Sequence, residues 1–153
     1  MAHRIKPTHI DKIGPVFYWA SFIIACLGFV DATYLLVYKL TNNNAMCLGN
    51  GGCHVVNFSS YSEIAGIPVS VFGMAAFLAI AGILLLEPRL KIARENGPLA
   101  IFGISLAGVV FTAYLTWLEI YVINAICPFC VASAVIIALI FIMAIIRLIK
   151  QTA

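Results

Sequence analysis

Five cysteines carry most of the chemistry open to this sequence: Cys26, Cys47, Cys53, Cys127 and Cys130. Cys127 and Cys130 stand in C-P-F-C, and proline is tolerated in the first turn of a helix because its missing N–H would be unpaired there anyway. A helix N-terminus carries about half a positive charge, and that field and the C-x-x-C arrangement both lower a thiol's pKa. The thiolate is the attacking species in disulfide exchange and the better leaving group. Two cysteines three apart at a helix start can also close a short disulfide. Cys47 and Cys53 bracket a second pair, C-L-G-N-G-G-C. A bridge across so short a loop stabilises little, so this glycine-rich pair reads as a disulfide shuttle rather than a staple. Two static disulfides, or a zinc site built from the four thiolates, are the alternatives the same residues allow. An oxidising face disfavours the zinc site, and no metal is expected. Cys26 lies in an apolar run and reads as a small packing residue. His54 directly follows Cys53, where an imidazole could take that thiol's proton or simply sit exposed in a loop.

The elements that hold these thiols must come from a very apolar chain. Of 153 residues, 63% are apolar and 10% charged, against roughly 45–50% and about 25% in an ordinary soluble domain. Mean hydropathy is +1.08. A water-soluble globule of this length would lack the polar residues to cover its surface, and disorder is excluded by the same numbers. The net charge of +3 is too small and too scattered for a nucleic-acid reader. A membrane-crossing helix needs about 20 mostly apolar residues. Four stretches qualify within one transmembrane domain: residues 15–40, 67–86, 98–123 and 127–149, with a redox loop over 41–66. The expected fold is an all-α, four-transmembrane-helix bundle in a lipid bilayer. Pro15, Pro68, Pro98 and Pro128 are expected in the first turns. The first apolar run is too long for a cleaved signal peptide and lacks a convincing cleavage site. The first dozen residues, with His3 and His9, read as a tail.

Basic residues set the direction. Arg4, Lys6 and Lys12 precede the first span, Arg89, Lys91 and Arg94 separate the second from the third, and Arg147 and Lys150 end the fourth. Only Lys39 departs from this pattern. Both termini are therefore expected in the cytoplasm. Four cysteines then fall on the outer face, where an oxidising compartment permits disulfides. Charges inside spans are expensive and point by default to function. Asp31 and Glu119 could relay protons, or could lie at the water interface or pair with Lys39. Ser59, Ser60 and Ser62 are expected to start or cap a short helix over the bundle mouth. Gly28, Gly82, Gly103 and Gly108 are expected to permit close helix contact. Tyr18, Trp19, Tyr114, Trp117 and Tyr121 are expected as interfacial anchors.

Four spans, C-x5-C in the first outward loop and C-x-x-C opening the fourth span resemble the vitamin K epoxide reductase family, in particular its prokaryotic members. The stretch C-H-V-V-N-F-S-S-Y-S-E-I-A-G-I-P-V-S-V-F-G, residues 53–73, is similar to the family's segment between the loop cysteines and the second span. Ser59 matches the family's loop serine. The resemblance covers about residues 15–149. A membrane disulfide oxidase of the DsbB type carries its C-x-x-C in the first outward loop, so the order is reversed here.

The resemblance implies a bundle enclosing a quinone (ubiquinone, menaquinone or a related naphthoquinone) in a bacterial or archaeal plasma membrane, with the active site facing outward. It implies that Cys47, Cys53, Cys127 and Cys130 are the catalytic set. A separate thioredoxin-like or DsbA-like periplasmic or extracellular protein would pass electrons to the loop pair, that pair to Cys127–Cys130, and that pair to quinone. By position, Cys53 would receive the partner's attack, Cys47 would exchange with Cys127, and Cys130 would lie nearest the quinone. Ser59, Phe72, Gly73 and Phe129 are the expected pocket residues. Vertebrate members have asparagine where this chain has Val69 and tyrosine where it has Ala134, which favours reduction of a respiratory quinone over vitamin K epoxide. A non-catalytic scaffold held by two disulfides is the alternative of another class.

Overall fold

A computed structural model describes residues 14–41 and 52–152. Cys47 and the N-terminal tail with Arg4, Lys6 and Lys12 lie outside the described residues. The chain forms helix α1 (Pro15–Thr41), short helix α2 (Gly52–Asn57), a 3-10 turn (Ser60–Ser62), strands β1 (Glu63–Ile64) and β2 (Ile67–Pro68), helix α3 (Val69–Leu86), helix α4 (Lys91–Leu118) continued by a π-helical turn (Glu119–Ile123), and helix α5 (Pro128–Thr152). Four of these helices are long and apolar enough to cross a membrane, α4 together with its π turn counting as one.

The four long helices close into a ring in which α1 packs on α3 and α5, and α4 on α3 and α5. Buried residues on α1 are Ser21, Ala25, Gly28, Ala32, Leu35 and Tyr38, a three-and-four spacing that makes one narrow stripe. Small residues dominate its inner half because, in lipid, helices associate by close van der Waals packing rather than by hiding apolar surface from water. Phe77, Ile80, Leu84, Ile101, Ile137 and Ile140 fill the core against that stripe. The outer surface is equally apolar: Val16, Trp19, Ile23, Leu27 and Val30 of α1 are all exposed, as a lipid-facing surface requires. Gly28 admits the Phe77 ring and Gly108 admits Ile137, whereas Gly82 and Gly103 face open space and do not serve the expected contacts. Trp19, Tyr114, Trp117 and Tyr121 are exposed, but Tyr18 turns inward and donates a 2.5 Å hydrogen bond to the Leu84 carbonyl.

The third span differs from its expected start. Helix α4 begins at Lys91, so Pro98 lies inside it rather than in its first turn. The run from Lys91 to Glu95 is polar but rich in good helix formers, so hydropathy marks where the apolar part begins, not where the helix does. At this end of the bundle, Arg147 Nη2 donates to both carboxylate oxygens of Glu87, at 2.8 and 2.6 Å. Both residues are buried. Gly97 makes the room: a Cβ there would come 2.8 Å from Glu87 Oε1.

At the opposite end, β1 and β2 form a minimal antiparallel hairpin pairing Glu63 with Pro68 and Ile64 with Ile67. Its two turn residues, Ala65 and Gly66, have φ of 53° and 80°, as a tight type I′ turn demands. Lys39 of α1 ties this hairpin down through Glu63 at 3.0 Å and Ser62 Oγ at 2.7 Å. The expected pairing of Asp31 or Glu119 with Lys39 is therefore not found; Lys39 is used by the hairpin.

Candidate functional site

Residues 124–127 are non-helical between the π turn and α5. Asn124, at φ 54°, reverses the chain there, and the Ala125 N–H bonds the Glu119 carbonyl at 3.1 Å. Pro128 then opens α5, leaving Cys127 as the residue before the helix. Its carbonyl accepts from the Val131 N–H at 3.1 Å. Its sulfur faces the first free amides of the helix, as an N-cap side chain does. The hydrogen bond from the Cys130 thiol, joined by the N–H groups of Cys130 and Phe129, holds the Cys127 pKa below the ordinary thiol value, although burial and the nearby Glu119 charge oppose this. Cys127 is 0% exposed.

Cys53 sits on α2 and is disulfide-bonded, while Cys26, Cys127 and Cys130 are free. It is 1% exposed and packs in one apolar cluster with Cys127, Leu35, Tyr38 and Val56. Gly52 is what lets α2 lie so close, since a Cβ there would collide with the Ile126 carbonyl. Asn57 Nδ2 donates back to the Cys53 carbonyl at 2.9 Å, and His54 stacks on Phe58 with ring centroids 4.6 Å apart. Burial of Cys53 beside Cys127 runs against its expected role as the sulfur that meets an external partner.

A cavity of about 530 Å³ opens beside the C-P-F-C pair and is lined in part by Leu35 and Val56 of the same cluster. Cys130 lines it together with the sequence-expected Ser59, Phe72 and Gly73, whereas Cys127 and Phe129 are not among its lining residues. The Phe129 ring packs on Tyr34 instead, centroids 4.7 Å apart. At 3.6 residues per turn, successive side chains point about 100° apart, so Phe129 and Cys130 face different ways. The volume falls within the ~300–1,000 Å³ of small-molecule sites, which are mostly apolar with a few placed polar groups. Phe77, Ile104, Phe111 and Leu115 supply apolar wall, and Ser59, Ser70 and Asn57 supply polar groups. The Ser70 hydroxyl is buried without a hydrogen-bond partner among the described residues. These features fit a flat apolar ring carrying acceptor oxygens, such as a quinone. Val69 also lines the cavity.

Two carboxylates flank the cysteines. Glu119, 3% exposed and on the cavity wall, accepts from the Cys127 N–H at 3.5 Å and lies within hydrogen-bonding reach of the Cys130 thiol. The Asp31 carboxylate accepts a hydrogen bond from Ser133, three residues beyond Cys130 on α5. Glu119 is buried and Asp31 is half-buried. Sequence reasoning did not single out Asn57, Ser70 or Tyr38. Tyr38 is 1% exposed beside Cys127, with a hydroxyl that has no partner among the described residues. An apolar-looking helix end gives no sign of such a phenol, because its importance depends on what α2 and α5 bring against it.

Fold and site together define a membrane protein whose dithiol opens onto a cavity between its spans. Residues 19–145 match the model of the vitamin K epoxide reductase family, and the chain belongs to that family. It is also 32% identical over 111 residues to the thiol-disulfide oxidoreductase LTO1 of Arabidopsis thaliana. That match covers 69% of this chain and 30% of the length of LTO1.

Proposed function

We propose that this chain is a membrane thiol:quinone oxidoreductase that oxidises a thioredoxin-like protein outside the membrane and so supports disulfide formation. The observation that carries this reading is the position of the C-P-F-C pair where the Cys53 cluster meets the cavity. Cys127 is buried in the Cys53 cluster, and Cys130 opens onto the apolar cavity. Electrons entering at the loop pair would reach Cys127 through Cys53, and leave from Cys130. Burial of Cys53 makes Cys47 the better candidate to receive the partner's thiolate.

Each residue has a task under this reading. The amides at the start of α5 hold the Cys127 sulfur as a thiolate once the pair is reduced. Ser70 and Asn57 would orient acceptor oxygens, Ser59, whose hydroxyl donates to the Val56 carbonyl, would line the wall beside them, and Phe72 and Gly73 would bound the ring. A bound quinone supplies the two-electron acceptor, and lipid-soluble quinone is available at this depth. The distribution of basic residues supports an outward-facing cysteine-bearing end.

The test is quinone reduction by the purified chain, driven by a dithiol or a reduced thioredoxin-like protein. Cys130→Ala is expected to abolish it, and equal rates in parent and variant overturn the reading. Trapping mixed disulfides with Cys47→Ser and Cys53→Ser names the entry sulfur: the complex should accumulate only when Cys47 is present.

A further inference from the structure

Reduction of a quinone to quinol takes two protons as well as two electrons, and the buried cysteine pair has to release and deliver protons where water is scarce. Three polar groups crowd the Cys130 sulfur: the Cys127 sulfur, the Glu119 carboxylate and, one helical turn away, the Asp31–Ser133 pair. Asp31 is engaged by the Ser133 hydroxyl and does not line the cavity. Glu119 touches the thiol pair and the cavity at once. The helix widens into a π turn at Glu119, and such π-helical turns within α-helices are found disproportionately at functional sites. Among the described residues this buried carboxylate meets a 3.5 Å amide contact and a thiol and no ion pair, unlike Glu87, which has Arg147.

We propose that Glu119 is the proton carrier between the Cys130 thiol and the acceptor in the cavity, a role that rests on the thiol:quinone reading above. The reduced site begins with Cys127 as thiolate, Cys130 as thiol and Glu119 as carboxylate. The Cys130 S–H bond breaks and its proton passes to a Glu119 oxygen. Two electrons leave the sulfurs as the Cys127–Cys130 bond forms. Glu119 gives its proton to one acceptor oxygen, and water supplies the proton for the other and leaves as hydroxide, which carries away the charge of the Cys127 thiolate. The quinone has then gained two electrons and two protons, the dithiol has become a disulfide, and Glu119 is a carboxylate again.

The experiment compares Glu119→Gln with the parent in two readouts that a proton carrier moves in opposite directions. Quinone reduction is expected to fall about 10²-fold, the low end of what general acid–base catalysis contributes. Alkylation of Cys130 by iodoacetamide, located by mass spectrometry on the reduced protein without quinone, is expected to become several-fold faster at neutral pH. The reason is that the variant lacks the carboxylate charge that opposes thiolate formation. If the glutamine chain does not accumulate in membranes, Glu119→Asp replaces it, since withdrawing the carboxyl by one methylene should move both rates in the same opposed sense. Rates that both stay at the parent level overturn the role of Glu119, and so do rates that fall together, which signal structural damage. A parent that reduces no quinone overturns the functional reading and this step with it. A parent that turns over and is matched by its variant removes Glu119 alone.

Discussion

Cys127 shows how much of a cysteine's behaviour is set by a single position. It stands one residue before a helix, so the helix presents its unpaired amides to the sulfur, and Cys130 returns one turn later to donate its thiol. Such a lowered pKa stabilises the reduced pair and makes its disulfide a stronger oxidant of incoming thiols. The sign follows from the direction of the shift. With the folded pKa below the ordinary thiol value of about 8.5, the favourable contribution to the reduced fold is fully present above that value and is lost as pH falls through the lowered pKa. A pH titration of thiolate ultraviolet absorbance on the reduced protein should therefore show one thiolate persisting below the ordinary range. Cys130→Ala removes the largest cause, so the Cys127 midpoint should move up. An unmoved midpoint would mean that the helix amides alone hold the thiolate.

Among the elements, the charged end of the bundle is built differently from the cysteine end. Glu87 at the end of α3 and Arg147 in the last turns of α5 meet across the ring, and Gly97 of α4 leaves the space they occupy. Removing one partner of a buried pair leaves the other charge uncompensated, at a cost of about 3–5 kcal/mol, while replacing both by apolar groups is often neutral. Arg147→Met alone should thus lower the thermal midpoint of the purified protein, and Glu87→Gln alone should do the same. The double variant Glu87→Leu with Arg147→Met should recover most of the loss. If the single and double variants proved equally unstable, the pair would matter by packing rather than by charge. Quinone turnover at the permissive temperature should survive in the double variant, because the pair is at the far end of the spans from Cys130.

Taken as a whole, the molecule sets two adjoining regions against a single dithiol. One is the apolar cluster containing Cys53 and Cys127, and the other is the cavity reached by Cys130. The two adjoin through Leu35, Val56 and Cys130, but most of the cavity wall is made by other residues and should be open to mutation on its own. Ala76 of α3 lines the cavity and is not part of the Cys53–Cys127 cluster, and Ala76→Phe would fill part of the cavity. This variant should raise the KM for quinone at least several-fold, while electron exchange from a dithiol into Cys127–Cys130, followed by quenched alkylation, continues at the parent rate. Loss of both together would show that the cavity and the exchange cluster are one packing unit.

Much of this organisation could be read from residue order. Apolar runs of sufficient length gave four spans within a few residues, because lipid imposes a length that composition alone reveals. Cysteine spacing and the distribution of basic residues grouped the loop and C-P-F-C cysteines, and among the described residues Cys53, Cys127 and Cys130 do lie together at one end. The start of α4 was misplaced because polar helix formers continue a helix beyond its apolar part. Glu119 and Asp31 were recognisable as costly charges, but their partners were not. The sequence names residue types, whereas the partners of Glu119 are set by a π turn and a chain reversal at Asn124, and that of Asp31 by the packing of α1 on α5. Phe129 was expected at the pocket because it lies between the two cysteines, and helical rotation carried it to Tyr34. The Glu87–Arg147 pair, the burial of the Tyr38 hydroxyl and the burial of Cys53 depend on residues of different helices, or of helices and loops, and exist only once the ring has closed. Sequence alone thus determined that the chain lies in a membrane and carries a dithiol at one end. Only tertiary packing decided which sulfur faces the cavity and which faces the loop pair, because that depends on how helices rotate against each other.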